Sequence, residues 1–554
     1  MKKSLLLLAS LLTGLAQAQT FDFLDINQVK ARVNSGGDLH FDPSTSSGSY
    51  ECPIGSGKNY GGPASLWIGG VDVGGQLKLA GQTYRQGGVD FWPGPLDVTT
   101  ATTNSTAVNQ YNKVWKINKS DIDAFLINFA NGNVQNGSYI IPNSILNWPG
   151  NGDISQNQDV LLAPFVDGDG DQIYSPTAGD YPLIKGDQAI FTVFNDNYLP
   201  HQATGGNPIG LEIRLMAYAY GPCSITISNP FLNYTTFYDY QIINRSSFAL
   251  FNVHAGLFND SDIGNYINDY VGSDVADHYA YTYNASSSPS NEPAIGIIQL
   301  QGPIETANGI DDDGDGITDE SGEQMSMTGF SYFNNSFAGV PIAQTDPSNA
   351  TEYYQYLSGF WRDGTPLTCG GNGYGGSTAT PFAYTNNTYT NGACGNTNWT
   401  ETGTGSDKKF VMSSGPYILQ PGEVDHFEYA YIVAFDSTTN NPLVKLDADV
   451  QNLHSIYNST LNQCLATSIK KQDINTASMS ISPNPTNGAL TISLNKTTPH
   501  VTIEVIDAIG KVLLSENHKE FNKTTINVSD LSSGIYFVKI ISGENTVTKK
   551  FIKE

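Results

Sequence analysis

Short runs in which apolar and polar residues alternate recur along the first 435 residues of the chain. The clearest is Phe427–Phe435, which follows a Pro421-Gly422 turn, and a period of two is typical of a β-strand. Its alternate residues share one face: Phe427, Tyr429, Tyr431, Val433 and Phe435. Further strands are predicted at Leu66–Gly70, Gln76–Gln82, Val114–Ile117, Ala189–Phe194, Leu211–Tyr220, Thr236–Ile243, Val253–Phe258 and Ala294–Gln299. The pattern predicts a body built mainly of strands.

Two segments show apolar residues at three- and four-residue spacing, which is typical of helices. In the first segment, Ser120 is the expected N-cap, and the helix is expected to end at Gly132. The second begins near Pro442, placed as the first helical residue. The apolar faces carry Ile122, Phe125, Leu126 and Phe129 in the first helix and Leu443, Leu446, Val450, Leu453 and Tyr457 in the second. We expect the second helix to lie against a sheet.

Residues 478–554 again contain short β-rich runs, separated by turn-forming residues such as Asp507–Gly510 and Ser532–Gly534. The runs are Leu490–Leu494, Val501–Ile506, Lys511–Leu514, Thr524–Val528, Ile535–Ile541 and Thr546–Ile552. Six or seven short strands at this density predict a small immunoglobulin-like β-sandwich.

This last segment resembles the type A C-terminal sorting domain of the type IX secretion system of Bacteroidota. The residues that carry the resemblance are Pro483, Asn484, Pro485, Gly488, Asp507, Gly510, Leu531, Gly534, Tyr536, Lys549 and Lys550. The resemblance implies passage through the type IX translocon and contact with its sortase machinery. It also implies removal of the tail, followed by attachment to surface lipopolysaccharide or release.

The N-terminus has the composition of a secretory signal peptide. Met1-Lys-Lys is basic, Leu5–Leu12 is apolar, and Ala16-Gln17-Ala18 is an A-x-A cleavage site. We expect no transmembrane segment, because no other apolar run is long enough to span a bilayer. The predicted organisation is a signal peptide at 1–18, a body at 19–466, a linker at 467–477 and the sorting domain at 478–554.

The expected fold class is all-β: a large multi-strand β-sandwich body of two lobes with few helices, followed by the immunoglobulin-like sandwich. The net charge is −26, and residues 471–554 hold nine Lys against eight Asp or Glu, so the negative charge lies in the body. This charge argues against nucleic acid as a partner. It favours cation binding or, equally well, simple solubility.

Five Cys occur in a compartment that permits disulfides. Cys369 and Cys394 flank a Gly-, Asn- and Thr-rich loop with little apolar content, and they are the expected pair. The pairing of Cys52, Cys223 and Cys464 stays open, since sequence alone does not fix connectivity.

The strongest chemical motif is an acidic loop at residues 311–320. Asp311, Asp313 and Asp315 with Gly316 match positions 1, 3, 5 and 6 of an EF-hand calcium loop. Position 12 is Gly322 rather than Glu, so this is not a true EF-hand, although Asp319, Glu320 or Glu323 could supply the missing ligand. The loop resembles the shorter calcium loops of thrombospondin type 3 repeats and dockerins. Calcium is the expected, structural cofactor, and an acidic turn without metal is the alternative.

Two weaker groups follow the same logic. In Asp167, Asp169 and Asp171 the loop Gly is replaced by Gln172, and Asp180 could close the site. The other group follows a predicted strand and contains Asp260, Asp262, Asp269 and Asp274, where a metal could pin a long loop. Solvated Asx turns explain this last group equally well.

No catalytic motif of the His-Glu-x-x-His or Gly-x-Ser-x-Gly kind occurs in the sequence. Short sequence segments of the body, such as Ser65-Leu-Trp-Ile-Gly-Gly-Val-Asp, are similar to segments of functionally unassigned secreted proteins that carry this type of C-terminal sorting domain. We therefore expect a non-enzymatic adhesin, binding or structural module with a glycan or protein ligand. The alternative is a secreted hydrolase acting on glycans or peptides with an unrecognised active site.

Overall fold

The structure is a computed structural model. It describes residues 19–222, 226, 228–284, 292–304, 324–336, 339–386, 394–395, 398–403, 405–436, 441–457, 461, 479–506, 511–542 and 545–553. The chain divides into two compact units, Met1–Leu461 and Asn462–Glu554, which we call the body and the tail. The expected signal peptide at 1–18 and linker at 467–477 lie outside the described residues.

The body consists mainly of antiparallel strands, as its alternating pattern predicts. In chain order they are β1 (Phe21–Leu24), β2 (Lys30–Asn34), β3 (Phe41–Asp42), β4 (Ser47–Gly48), β5 (Tyr50–Glu51), β6 (Ala64–Asp72), β7 (Leu77–Gly81), β8 (Trp92–Pro93), β9 (Trp115–Asn118), β10 (Phe165–Val166), β11 (Tyr181–Pro182), β12 (Gln188–Asn195), β13 (Leu211–Ala219), β14 (Thr235–Asn244), β15 (Leu250–Asn259), β16 (Asp269–Asp274), β17 (Tyr279–Asn284), β18 (Ala294–Gln301), β19 (Gly329–Asn334), β20 (Lys408–Leu419) and β21 (Val424–Ala434).

The described helices are short and few. The α-helices are α1 (Ser105–Gln110), α2 (Lys119–Ala130), α3 (Asn143–Leu146), α4 (Ala350–Leu357) and α5 (Pro442–Ile456). Short 3-10 helices lie at Arg85–Gly87, Ile154–Gln156, Pro230–Tyr234, Tyr266–Asn268 and Ile342–Gln344.

Two large sheets form the body. The nine-stranded sheet has the order β16-β17-β18-β21-β14-β13-β12-β8, and β9 also pairs with β12. The five-stranded sheet has the order β19-β20-β15-β6-β7. Smaller sheets are formed by β1-β2-β5, by β3 with β4 and by β10 with β11.

One hydrophobic core lies between the two large sheets, and a second lies on the other face of the nine-stranded sheet, under the helices. Strand β21 divides its side chains between them: Tyr429 and Tyr431 enter the first core, while Ala430 and Ile432 enter the second. Both faces of this central strand are buried, which is why its apolar run is nearly continuous. The all-β sandwich is confirmed, and the body up to Leu461 is one compact unit with two cores rather than two separate lobes.

Both predicted helices are present, with one difference in capping. Helix α2 starts at Lys119, and the N-cap position is held by Asn118 without a side-chain hydrogen bond, rather than by Ser120. Helix α5 has Pro442 in its first turn and buries Leu446 and two further apolar residues, as its spacing predicts.

Cys369 and Cys394 are joined by a disulfide with an S–S distance of 2.02 Å and a Cα–Cα distance of 5.3 Å. Cys52 is a buried free thiol. Cys223 and Cys464 lie outside the described residues.

The tail forms a two-sheet sandwich with its own core. Its strands are β22 (Met479–Ser482), β23 (Ala489–Thr498), β24 (Val501–Ile506), β25 (Val512–His518), β26 (Phe521–Asn527), β27 (Gly534–Ser542) and β28 (Asn545–Lys553). One sheet has the order β22-β23-β26 and the other β25-β24-β27-β28. Alternate residues of β24, including Val501, Ile503 and Val505, are buried in the core between them.

Candidate metal centres and the export domain

Three groups of carboxylates among the described residues have donor oxygens close enough to share a cation. In each group every residue offers one oxygen within 4.8 Å of the others. We name them the loop group (Asp167, Asp169, Asp180), the edge group (Asp260, Asp262, Asp407) and the helix group (Asp274, Asp277, Asp447).

The loop group follows the curl expected of a calcium loop. Gln172, at the position where an EF-hand loop has Gly, is in the left-handed region with φ 63°. However, both carboxylate oxygens of Asp167 accept backbone N–H bonds, from Gly170 at 2.7 Å and Gln172 at 2.9 Å. These bonds lower the pKa of Asp167, with the bond from Gln172 the largest cause. Hydrogen bonds therefore already account for the shape of this loop.

Asp180 has the same kind of surroundings, because its two oxygens accept N–H bonds from Gly168 at 2.8 Å and Ser175 at 2.7 Å. It joins Asp167 and Asp169, whereas Asp171, predicted as a ligand, is not part of the group. Asp171 instead accepts the N–H of Ile173 at 2.7 Å.

The edge group is created by strand pairing. Strands β15 and β20 are antiparallel neighbours with Asn259 opposite Phe410, so β15 ends where β20 begins. Asp260 and Asp262 follow the end of β15, and Asp407 immediately precedes β20. Residues far apart in sequence therefore meet at one edge of the five-stranded sheet.

Glycines allow the close backbone approaches that hold this edge together. A Cβ on Gly62 would lie 1.6 Å from the carbonyl oxygen of Asp260, and one on Gly405 would lie 2.3 Å from the carbonyl carbon of Asn268. Gly62 thus lets the segment before β6 contact Asp260, and Gly405 lets the segment before β20 contact the start of β16.

Burial is the main influence on the carboxylates at this edge. It raises the pKa of Asp260 to about 7, of Asp262 to about 6 and of Asp269 to about 8. Neighbouring carboxylates add to each of these increases: the charge of Asp407 raises the pKa of all three. The full set of negative charges is therefore unfavourable here unless a cation compensates it.

The helix group joins the turn after β16 to helix α5. Burial raises the pKa of Asp274 to about 6. The charges of Asp277 and Asp447 act in the same direction, whereas the backbone N–H bonds that Asp274 accepts lower its pKa. Asp274 accepts N–H bonds from Ala276 and Asp277, both at 3.0 Å. The sequence placed Asp274 with Asp260 and Asp262, whereas the structure places it with Asp277 and Asp447.

The first acidic loop predicted from sequence, with Asp311, Asp313, Asp315 and Asp319, lies outside the described residues. Sequence reasoning missed Asp277, Asp407 and Asp447. No metal-binding motif surrounds Asp407 in the sequence. It could have been identified only by predicting that β20, which begins at the next residue, pairs with β15.

In the tail, the Pro-Asn-Pro turn is fastened to the last strand. Asn484 Oδ1 accepts the N–H of Ile552 at 2.8 Å, and the N–H of Thr486 donates to the Ile552 carbonyl at 2.9 Å. The motif residue Gly488 accepts the N–H of Val528 at 2.6 Å. Pro483 and Pro485 flank Asn484 and complete the turn.

Other motif residues fix the start of β27. Leu531 packs against the tail core, and Gly534 opens the strand opposite Lys553. The hydroxyl of Tyr536 donates to the Ser532 carbonyl at 2.9 Å, and its ring stacks on Phe551.

The remaining motif residues are placed as follows. Lys549 Nζ donates to the Met479 carbonyl at 3.1 Å, which ties β28 to β22. Lys550 pairs with Phe537 through the backbone. Asp507 and Gly510 lie outside the described residues.

Comparison with known proteins identifies the tail. Residues 480–554 match the family model of a secretion system C-terminal sorting domain. No curated protein matches the chain. Among solved structures the chain is similar to a polysaccharide lyase at 7% identity, with 62% of this chain and 34% of that chain covered and a TM-score of 0.18. The chain thus spans about a third of that protein, and so weak a likeness carries no argument about function.

The chain therefore carries the sorting domain of a type IX secretion cargo protein, and the domain implies interaction with the machinery of that system. The protein is delivered to the cell surface or the extracellular space. Among the described residues, no helix is both long and apolar enough to cross a membrane.

Proposed function

We propose that the body is a calcium-stabilised binding or structural module, an adhesin or matrix component, which the tail delivers to the cell exterior of a Bacteroidota bacterium. Calcium is the proposed structural cofactor, and a glycan or protein is the proposed ligand. Surface lipopolysaccharide is the proposed anchor after tail removal.

The observation that supports this proposal is the grouping of carboxylates at three places in a strongly acidic body. Hard divalent cations prefer several carboxylate and carbonyl oxygens, and calcium accepts six to eight of them in flexible geometry. An ion that binds only the folded state stabilises it by mass action, by about 2.7 kcal/mol at a hundredfold excess over Kd.

The test is thermal unfolding of the chain from residue 19 to residue 554. We expect a chelator to lower Tm and calcium to restore it, with magnesium less effective because it gives up its water shell reluctantly. The control is the same titration at matched ionic strength, which separates specific binding from screening of the negative charge. Superimposable melting curves in chelator and in millimolar calcium would remove the calcium proposal.

A further inference from the structure

The edge group differs from the other two carboxylate groups in how its oxygens are used. Asp260 is 8% exposed, and its Oδ2 already accepts the hydroxyl of Tyr84. Its Oδ1 is buried and has no hydrogen-bond partner. A buried carboxylate oxygen without a donor is costly, and such atoms are uncommon in folded proteins.

A second oxygen in the same position lies beside the group. Asp269 is 1% exposed, and one of its oxygens accepts the N–H of Ile263 at 3.1 Å. Its Oδ1 is buried without a partner. Asp269 opens β16 of the nine-stranded sheet, and it is near enough to the edge group for the charges of Asp262 and Asp407 to act on it. Two unpartnered, buried carboxylate oxygens in this region indicate a bound cation or hydrogen-bond donor.

The lysines nearest to this edge are already engaged by other carboxylates. Lys409 Nζ lies 2.9 Å from Asp346 Oδ1, and Lys408 Nζ lies 2.6 Å from Glu401 Oε1. Neither ammonium group makes a close ion pair with Asp260, Asp262 or Asp407 among the described residues. The charge of Lys409 acts on all three carboxylates of the edge group, but Lys409 is shared with Asp346, so one lysine does not neutralise the group and a bound cation would complete the compensation.

We propose that Asp260, Asp262 and Asp407 bind one calcium-sized divalent cation, which joins the segment after β15 to the start of β20. This proposal rests on the proposed function and names the site where that function places its ion. Asp260 contributes the oxygen that Tyr84 leaves free, and Asp407 contributes from the opposite strand. Asp262 is partly exposed, so water can complete the coordination shell.

The ion is expected to be calcium rather than magnesium. The three donor oxygens lie within 4.8 Å of one another, and they come from two separate segments of backbone. Magnesium demands near-ideal octahedral geometry at about 2.0–2.1 Å, whereas calcium tolerates irregular shells at about 2.3–2.6 Å. An edge assembled from two strands suits the more tolerant ion.

The test compares Asp407→Asn with Asp447→Asn and Asp167→Asn in the chain from residue 19 to residue 554. Each variant removes one carboxylate, and the two controls remove it from the helix group and the loop group. We expect the calcium-dependent rise in Tm to be largely lost in Asp407→Asn and retained in both controls. In chelator, Asp407→Asn should melt no lower than the wild type, because the amide keeps an oxygen and relieves repulsion.

A second readout reports binding directly. Terbium, a luminescent substitute for calcium, should give tyrosine-sensitised emission at this site because Tyr84 contacts Asp260. Calcium should displace it, and Asp407→Asn should abolish that displaceable signal. If Asp407→Asn does not fold, Asp262→Asn at the partly exposed position is measured in the same way.

Three results would overturn the inference. A wild-type calcium response in both Asp407→Asn and Asp262→Asn would leave the proposed function intact and place the ion elsewhere. Loss of the response in the double variant Asp313→Asn with Asp315→Asn, with Asp407→Asn unaffected, would assign it to the predicted loop. Absence of any calcium response in the wild type would contradict the proposed function as well.

Discussion

His40 shows how burial controls the chemistry of a single side chain in this body. Its ring is fully buried and contacts the rings of Tyr50 and Tyr431 edge-on. Its Nε2 lies 2.6 Å from the hydroxyl of Tyr238. Burial lowers the pKa of His40 to about 3, so the imidazole is neutral in the folded protein.

This burial predicts a loss of stability in acid. The unfolded state takes up a proton on His40 near its ordinary pKa of 6.5, whereas the folded state does so only near 3. Stability from the neutral ring is therefore complete above pH 6.5 and is lost as the pH falls, by up to about 1.4 kcal/mol per pH unit. We expect His40→Gln to reduce this dependence, measured by urea unfolding at about pH 7.5 and about pH 5.

The control is Tyr238→Phe, which removes the hydroxyl beside His40 and leaves the titrating ring in place. It should lower the free energy of unfolding similarly at both pH values. The same pH dependence in His40→Gln and the wild type would contradict the assignment.

Helix α5 illustrates which elements the sequence reveals. Its apolar spacing and Pro442 predicted it, because all the information lies within its own residues. Helices α1 and α4 have six and eight residues, too few for a clear period. The signals that would have found them are their N-caps, Asn104 and Asn349, whose side chains accept N–H bonds from the first turn.

The contact between α5 and the nine-stranded sheet leads to a prediction about packing. A Cβ on Gly296 of β18 would lie 2.7 Å from Leu446 Cδ1, so the glycine makes room for the leucine. Leu446 is fully buried, and Leu446→Ala should cost about 2–5 kcal/mol. Gly296→Ala alone should also destabilise, because the new methyl overlaps the leucine.

The double variant should be less unstable than the two single changes together, because the added methyl partly fills the cavity. The expected coupling is about 0.5–3 kcal/mol in a double-mutant cycle measured by urea unfolding. Strict additivity would show that Gly296 and Leu446 do not share this space.

The pairing of distant strands, which assembles the elements into one body, could not be predicted from the sequence. Strands β14 and β21 are neighbours although residues 245–423 separate them, and no local pattern encodes that pairing. The composition of the carboxylate groups depends in the same way on which distant segments meet, so Asp407, before β20, and Asp447, in α5, were missed while Asp167 and Asp260 were named. The tail was recognisable from sequence because its motif residues occur in a set order along the chain. The contacts that they make, such as the one between Asn484 and Ile552, were not predictable in the same way, since they join distant segments.

The last prediction concerns delivery of the whole chain. Deletion of residues 478–554 should leave the protein in the periplasm, because the sorting domain is lost while the expected signal peptide still directs export across the inner membrane. Asn484→Ala should reduce delivery, since it removes the oxygen that holds the Pro-Asn-Pro turn against Ile552. The matched control is Asn517→Ala in β25, where the asparagine side-chain oxygen accepts the hydroxyl of Thr502 at 2.7 Å in an exposed hydrogen bond on the neighbouring strand. The measurement is surface labelling of intact cells alongside fractionation, and labelling of the deletion form at the wild-type level would show that the tail does not direct export.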